Sequence, residues 1–148
     1  MKPIITFFCL LIMMSCASQK TKETSMSKKN EVSSNKVLEV CYEARSRGSI
    51  KQVQLIGNTC VYKSNTENKK VILSSKDEKE LKRLLSLLEV EEIKYLKAPT
   101  DKRMIDGSMH AVVKIKEGVE EYSSANFDDG NPPVELQPLV DFLMKIVQ

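Results

Sequence analysis

The chain changes its hydrophobic period three times, first near Ser75, and those changes limit what it can fold into. Upstream, Leu38, Val40, Tyr42 and Ala44 alternate with Glu39, Cys41 and Glu43, the two-residue repeat of a strand wetted on one face. Ser46, Arg47 and Gly48 form a turn into a second strand at 49–56, with Val53 and Leu55 on the apolar side. Gly57-Asn58 marks the next reversal, and residues 60–63 and 70–73 read as short strands around the polar turn 64–69. Downstream, Leu81, Leu84, Leu85 and Leu88 recur at helical spacing opposite Lys79, Glu80, Lys82 and Arg83. Ser75 and Glu78 have the spacing of a capping box, and Asp77 and Glu78 suit the positive end of a helix over 76–88.

A mixed segment at 90–97 continues as a further turn or short extension, and the Pro, Gly and Asp content of 98–108 predicts a loop. Residues 109–116 form a strand with Ala111, Val113 and Ile115 on one side, and Glu117-Gly118 turns it back over 119–125. The stretch FDDGNPP at 127–133 predicts a rigid polar loop, with Asn131 capping the approach to the next helix. Leu136, Leu139, Val140, Leu143, Ile146 and Val147 then share one stripe of a helix over 135–147. Pro138 is tolerated in its first turn, where a missing amide proton costs little. One-sided strands and one-sided helices must bury their apolar faces together. The expected fold is therefore α+β, a mainly antiparallel sheet with two amphipathic helices packed on one face, in a single domain over 36–148.

The first residues speak to location. Lys2 precedes an apolar run over 4–14, of signal-peptide length and too short to span a bilayer. Small Ser15 stands directly before Cys16. This arrangement resembles the lipobox of bacterial lipoproteins, in which the cysteine is thioether-linked to diacylglycerol and becomes the acylated first residue. Met13 stands where that motif usually has Leu. The expectation is a signal peptide over 1–15, lipidation at Cys16, and an anchor with a disordered tether over 16–35, rich in Ser, Thr, Lys, Glu and Asn. Attachment to the membrane then rests on acyl chains, each buried methylene contributing roughly 0.8 kcal/mol.

From about residue 37 to 147 the chain also resembles a family of small, uncharacterised lipoproteins of Bacteroidota. The likeness lies in YEARSRG at 42–48, APTDKR at 98–103, DGSMHA at 106–111 and FDDGNPP at 127–133. It implies a lipid-anchored, periplasm-facing protein of the cell envelope and implies no activity. In lipoproteins of that group an acidic run soon after the anchoring cysteine directs display on the outer surface. ASQKTKE after Cys16 departs from that pattern, and inner and outer membrane both stay open.

Composition narrows the function classes. The formal net charge is +3, and removing the leader takes away Lys2 alone among the charged residues. Basic and acidic residues are interspersed, Trp is absent and aromatics make up 5%, so neither a phosphate-tracking surface nor a stacking platform is expected. Nucleic acid is not an expected partner. With Cys9 in the leader and Cys16 in the anchor, Cys41 and Cys60 are left for a possible disulfide in an oxidising compartment. Strand parity opposes that bond, because Cys41 shares its face with the glutamates while Cys60 falls near Leu55, two strands away.

Charged loops form the main constellation. Arg45 and Arg47 stand at one hairpin tip, Asp101, Arg103 and Asp106 in the 98–108 loop, and Asp128 and Asp129 in the 127–133 loop. If these converge, Arg–Asp pairs brace the loops; the other roles are a recognition patch for an envelope partner or anionic ligand, and a catalytic carboxylate pair. His110, the only histidine, falls on the solvent side of its strand, and Ser108 is its sole near neighbour of nucleophilic type. Asp128, Asp129 and Asn131 lack EF-hand spacing, Met104, Met109 and His110 lack a methionine repeat for copper, and two thiols are too few for zinc. No metal or cofactor is expected. The functional expectation is a non-catalytic, lipid-anchored binding or accessory protein whose partner is another envelope protein. A small periplasmic hydrolase using the Asp-rich loops and a metal or redox sensor are the alternatives.

Mass spectrometry of the protein from cell envelopes is expected to find an acylated Cys16 as the first residue, and Cys16→Ala is expected to leave the membrane fraction. An intact Met1 start with unmodified Cys16 contradicts this.

Overall fold

The structure, a computed structural model, describes residues 38–148. The signal peptide expected over 1–15, the lipidation of Cys16 and the tether to residue 35 lie outside the described residues. Four strands come first, β1 (Leu38–Ser46), β2 (Ser49–Ile56), β3 (Thr59–Ser64) and β4 (Asn68–Ile72), followed by α1 (Ser75–Ser86). After a long connection come β5 (His110–Glu117), β6 (Glu120–Ser123), β7 (Phe127–Asp128) and α2 (Gln137–Ile146). The sheet is seven-stranded, in the order β4-β3-β2-β1-β5-β6, with β7 also on β5. All its pairings are antiparallel.

The alternation fixes which face is buried. Val40, Tyr42 and Ala44 of β1 are opposite Leu55, Val53 and Lys51 of β2 and Ile115, Val113 and Ala111 of β5. Apart from Lys51, all of these are fully buried. Leu81 and Leu84 of α1 and Leu139, Val140, Phe142 and Leu143 of α2 complete the core. The mixed α+β architecture with two helices against an antiparallel sheet is the expected one. The opposite face of the sheet is polar, and there Gln54 Nε2 donates to Glu39 Oε1 at 2.7 Å. No helix among the described residues is long and apolar enough to cross a membrane.

Several local expectations need correction. The cap of α1 is Ser74, not Ser75, and its reciprocal partner is Asp77 rather than Glu78; Ser74 Oγ accepts from the Asp77 amide at 3.2 Å. Aspartate at the third helical position reaches back as glutamate would, so the box closes one residue earlier. Residues Lys102–Ile105 form a short 3₁₀ turn inside the segment expected to be a loop, and Ile93–Tyr95 form another where a further turn or short extension was expected. The first two residues of FDDGNPP join the sheet as β7, because Asp128 and Phe127 pair with His110 and Ala111.

The possible Cys41–Cys60 disulfide is also corrected. Cys41 is opposite Gln54 on the polar face and Cys60 opposite Leu55 on the core face, and both thiols are free. Two strand spacings separate their Cα atoms by about 9.5 Å, and the side chains leave the sheet in opposite directions. Burial raises both thiols, Cys60 to about 11, away from the thiolate that redox chemistry requires.

Leu143 is fully buried. Leu143→Ala is expected to cost about 2–5 kcal/mol in urea unfolding, and a cost below about 1 kcal/mol contradicts the packing. Alkylation in denaturant without reductant is expected to modify both Cys41 and Cys60; a linked peptide pair contradicts the register.

Candidate functional site

The β1–β2 turn and the end of the 98–109 connection meet at one end of the sheet. Register does this, since Arg45 of β1 is opposite His110 at the start of β5. Between them opens a cleft of about 950 Å³, lined by Arg45, Arg47, Asp106, Ser108, Met109 and His110 among others. Gly48 at φ +94° closes the hairpin, and a Cβ on Gly107 would stand 3.2 Å from the Lys102 carbonyl oxygen.

Four of the expected site residues therefore converge here. Arg45 is held on the outer face by Glu43, with Nε 2.6 Å from Oε1 and Nη2 3.0 Å from Oε2. That bond keeps the Glu43 carboxyl below its ordinary range. Arg47 has no ion-pair partner among the described residues, and neither Arg47 nor Arg45 meets an aspartate. His110 is exposed, as its parity predicts.

The other four build two internal braces. Asp128 is almost fully buried, and its carboxylate accepts from Thr100 Oγ1, from the Lys102 and Arg103 amides at 2.8 and 2.9 Å, and from Arg103 Nη1 at 3.2 Å. Burial alone would raise its pKa; the hydrogen bonds outweigh it and hold the carboxyl well below the usual carboxylate range. Arg103, itself buried, also donates to the Thr100 carbonyl at 2.6 Å and pairs with Asp101 at 2.8 Å. Asn131 Nδ2 closes the network on Thr100 Oγ1 at 2.8 Å, instead of capping a helix as expected. The loops brace one another as anticipated, but through Arg103 and not through the hairpin arginines.

Asp129 turns the other way. It accepts a hydrogen bond from the Tyr42 hydroxyl and stands 2.7 Å from Lys51 Nζ. Burial, and then the hydrogen bond and charge of Asp129, push the Tyr42 phenol far above its ordinary range, so it keeps its proton. Sequence reasoning missed Tyr42, Lys51 and Thr100. The first two carried a signal, because a core-facing phenol needs a partner and Lys51 shares the parity of Val53 and Leu55.

These braces engage Asp128 and Asp129, while Asp106 stays exposed on the cleft wall. Both Asp128 oxygens are taken by donors, and Asp129 is shared between a phenol and an ammonium. Among the described residues no three His, Cys, Asp or Glu side chains gather as metal ligands. What stays open to solvent is the cleft, with the Arg47 guanidinium, the His110 imidazole and the Asp106 carboxylate on its wall.

Because the folded Asp128 pKa lies below that of the unfolded chain, its contribution is complete above about pH 4 and is lost as the pH falls through the folded value. Asp128→Asn is expected to lower the urea midpoint at pH 7 and to flatten its fall below about pH 4, while an unchanged midpoint contradicts the brace. Tyr42→Phe, which removes a hydrogen bond to a charged group, is expected to cost about 1.5–3 kcal/mol. Comparison with known proteins assigns no family here: no protein-family model matches the chain, and no curated protein matches it.

Proposed function

We propose that this is a non-catalytic accessory or binding protein of the cell envelope, held by acyl chains on Cys16 and facing the periplasm, which engages another envelope protein through the cleft at the loop end. The reading rests on one observation above all. The buried acids are consumed by internal bracing, while Arg47 and His110 stand exposed on a rigid frame. The position of the cleft supports it. The nine-residue β1 spans about 27 Å at the usual strand rise, so the Arg45 end lies far from Leu38, the end of the strand that follows the expected tether. The resemblance to Bacteroidota lipoproteins supports the location in the same way.

Photo-crosslinking in intact cells tests this reading. A crosslinker at Ser46 or Ser108 is expected to capture one recurrent envelope protein, lost with Arg47→Glu and absent when the crosslinker sits at exposed Val134. Indifference to Arg47→Glu, or turnover of a substrate by the purified chain that His110→Ala abolishes, contradicts it.

A further inference from the structure

The strand β4 ends the sheet with no neighbour on its outer side among the described residues. Its hydrogen-bond phase is readable. The Leu73 amide donates to the Asn58 carbonyl and the Ser64 amide to the Glu67 carbonyl, both at 2.8 Å. Bonded pairs therefore alternate between these two through Cys60–Val71 and Tyr62–Lys69. The N–H and C=O groups of Asn68, Lys70 and Ile72 consequently point away from β3, to the open edge.

Beside this edge runs a groove of about 660 Å³ between β4 and the two helices. Val71, Phe142 and Ile146 supply its apolar lining, and Lys76, Lys79 and Lys145 its basic rim. The acids at the groove are already engaged, Asp77 in the α1 cap and Glu80 with Arg83 at 2.7 Å. The charge left over is positive.

We propose that the β4 edge receives an extended acidic segment of a partner protein as an added strand. Its backbone pairs with Asn68, Lys70 and Ile72, and its alternate side chains lie over Val71, Phe142 and Ile146. Charge selects this occupant. A second copy joined through its own β4 would bring Lys69 and Lys70 against their equivalents, which disfavours self-pairing. The segment 17–37 of the same chain carries Lys20, Lys22, Lys28, Lys29 and Lys36 against Glu23 and Glu31, the same sign as the rim. The inference does not depend on the loop-end cleft.

The test uses the full chain in detergent micelles and a fluorescein-labelled short peptide alternating glutamate and valine, followed by anisotropy. Saturable binding is expected, weakened about tenfold or more by Lys76→Glu with Lys79→Glu, and abolished by N-methylating alternate peptide amides. Lys70→Pro, which removes an outward amide while an edge position tolerates proline, is expected to weaken it likewise. If that variant unfolds, the N-methylated peptide answers the same question. No saturable binding, equal binding of the N-methylated peptide, or equal binding of a lysine–valine peptide overturns the proposal. Self-association of the full chain through the acidic β6 (Glu120, Glu121) of a second copy, removed by Glu121→Lys, would assign the edge to that copy and also overturn the proposal.

Discussion

A carboxylate shut away from water must be solvated by the protein, and supplying donors to Asp128 organises one end of the molecule. The connection between α1 and β5 has little regular structure of its own. It is held where it is because the Lys102 and Arg103 amides, the Thr100 hydroxyl and the Arg103 guanidinium all turn to one acid. Asp128 is in turn fixed by its backbone, which pairs with His110. Brace and cleft thus share a strand: His110 lies between Asp128 on one side and Arg45 on the other. One buried Arg103 donor, Nε, has no hydrogen-bond partner among the described residues, so the guanidinium is held by charge and by its other nitrogens.

The neighbouring acid has a different fate for a geometric reason. Asp128 is directed to the loop, whereas Asp129 meets Tyr42 and Lys51 of the first two strands. Two consecutive aspartates therefore diverge, and no shared-proton carboxylate pair forms between them. Their work is to fasten the segment before α2 to both the loop and the sheet.

Much of the fold was legible because it is local. Period-two alternation located β1, β2 and β5 and told which face each residue occupies, including the outward setting of His110 and of Cys41. The leucine spacing located α1, and the apolar stripe located α2. The two-residue β7 has no period to read, and its pairing depends on β5 being at hand. The site was harder. Arg103 meets Asp128 across 25 residues, and nothing local marks a loop arginine as buried. Arg45 chose Glu43, two positions away on its own strand, over any distant aspartate. That pair needs no loop closure, and a nearby partner wins for an exposed side chain.

Residue-resolved amide hydrogen exchange tests the central claim most directly, that Asp128 holds the connection in place. The Lys102 and Arg103 amides are expected to exchange far more slowly than their neighbours in the loop. Removing the Thr100 hydroxyl with Thr100→Val is expected to speed them while β1 and β2 keep their protection. Exchange of both amides at the rate of a free chain in the unaltered protein would contradict the account.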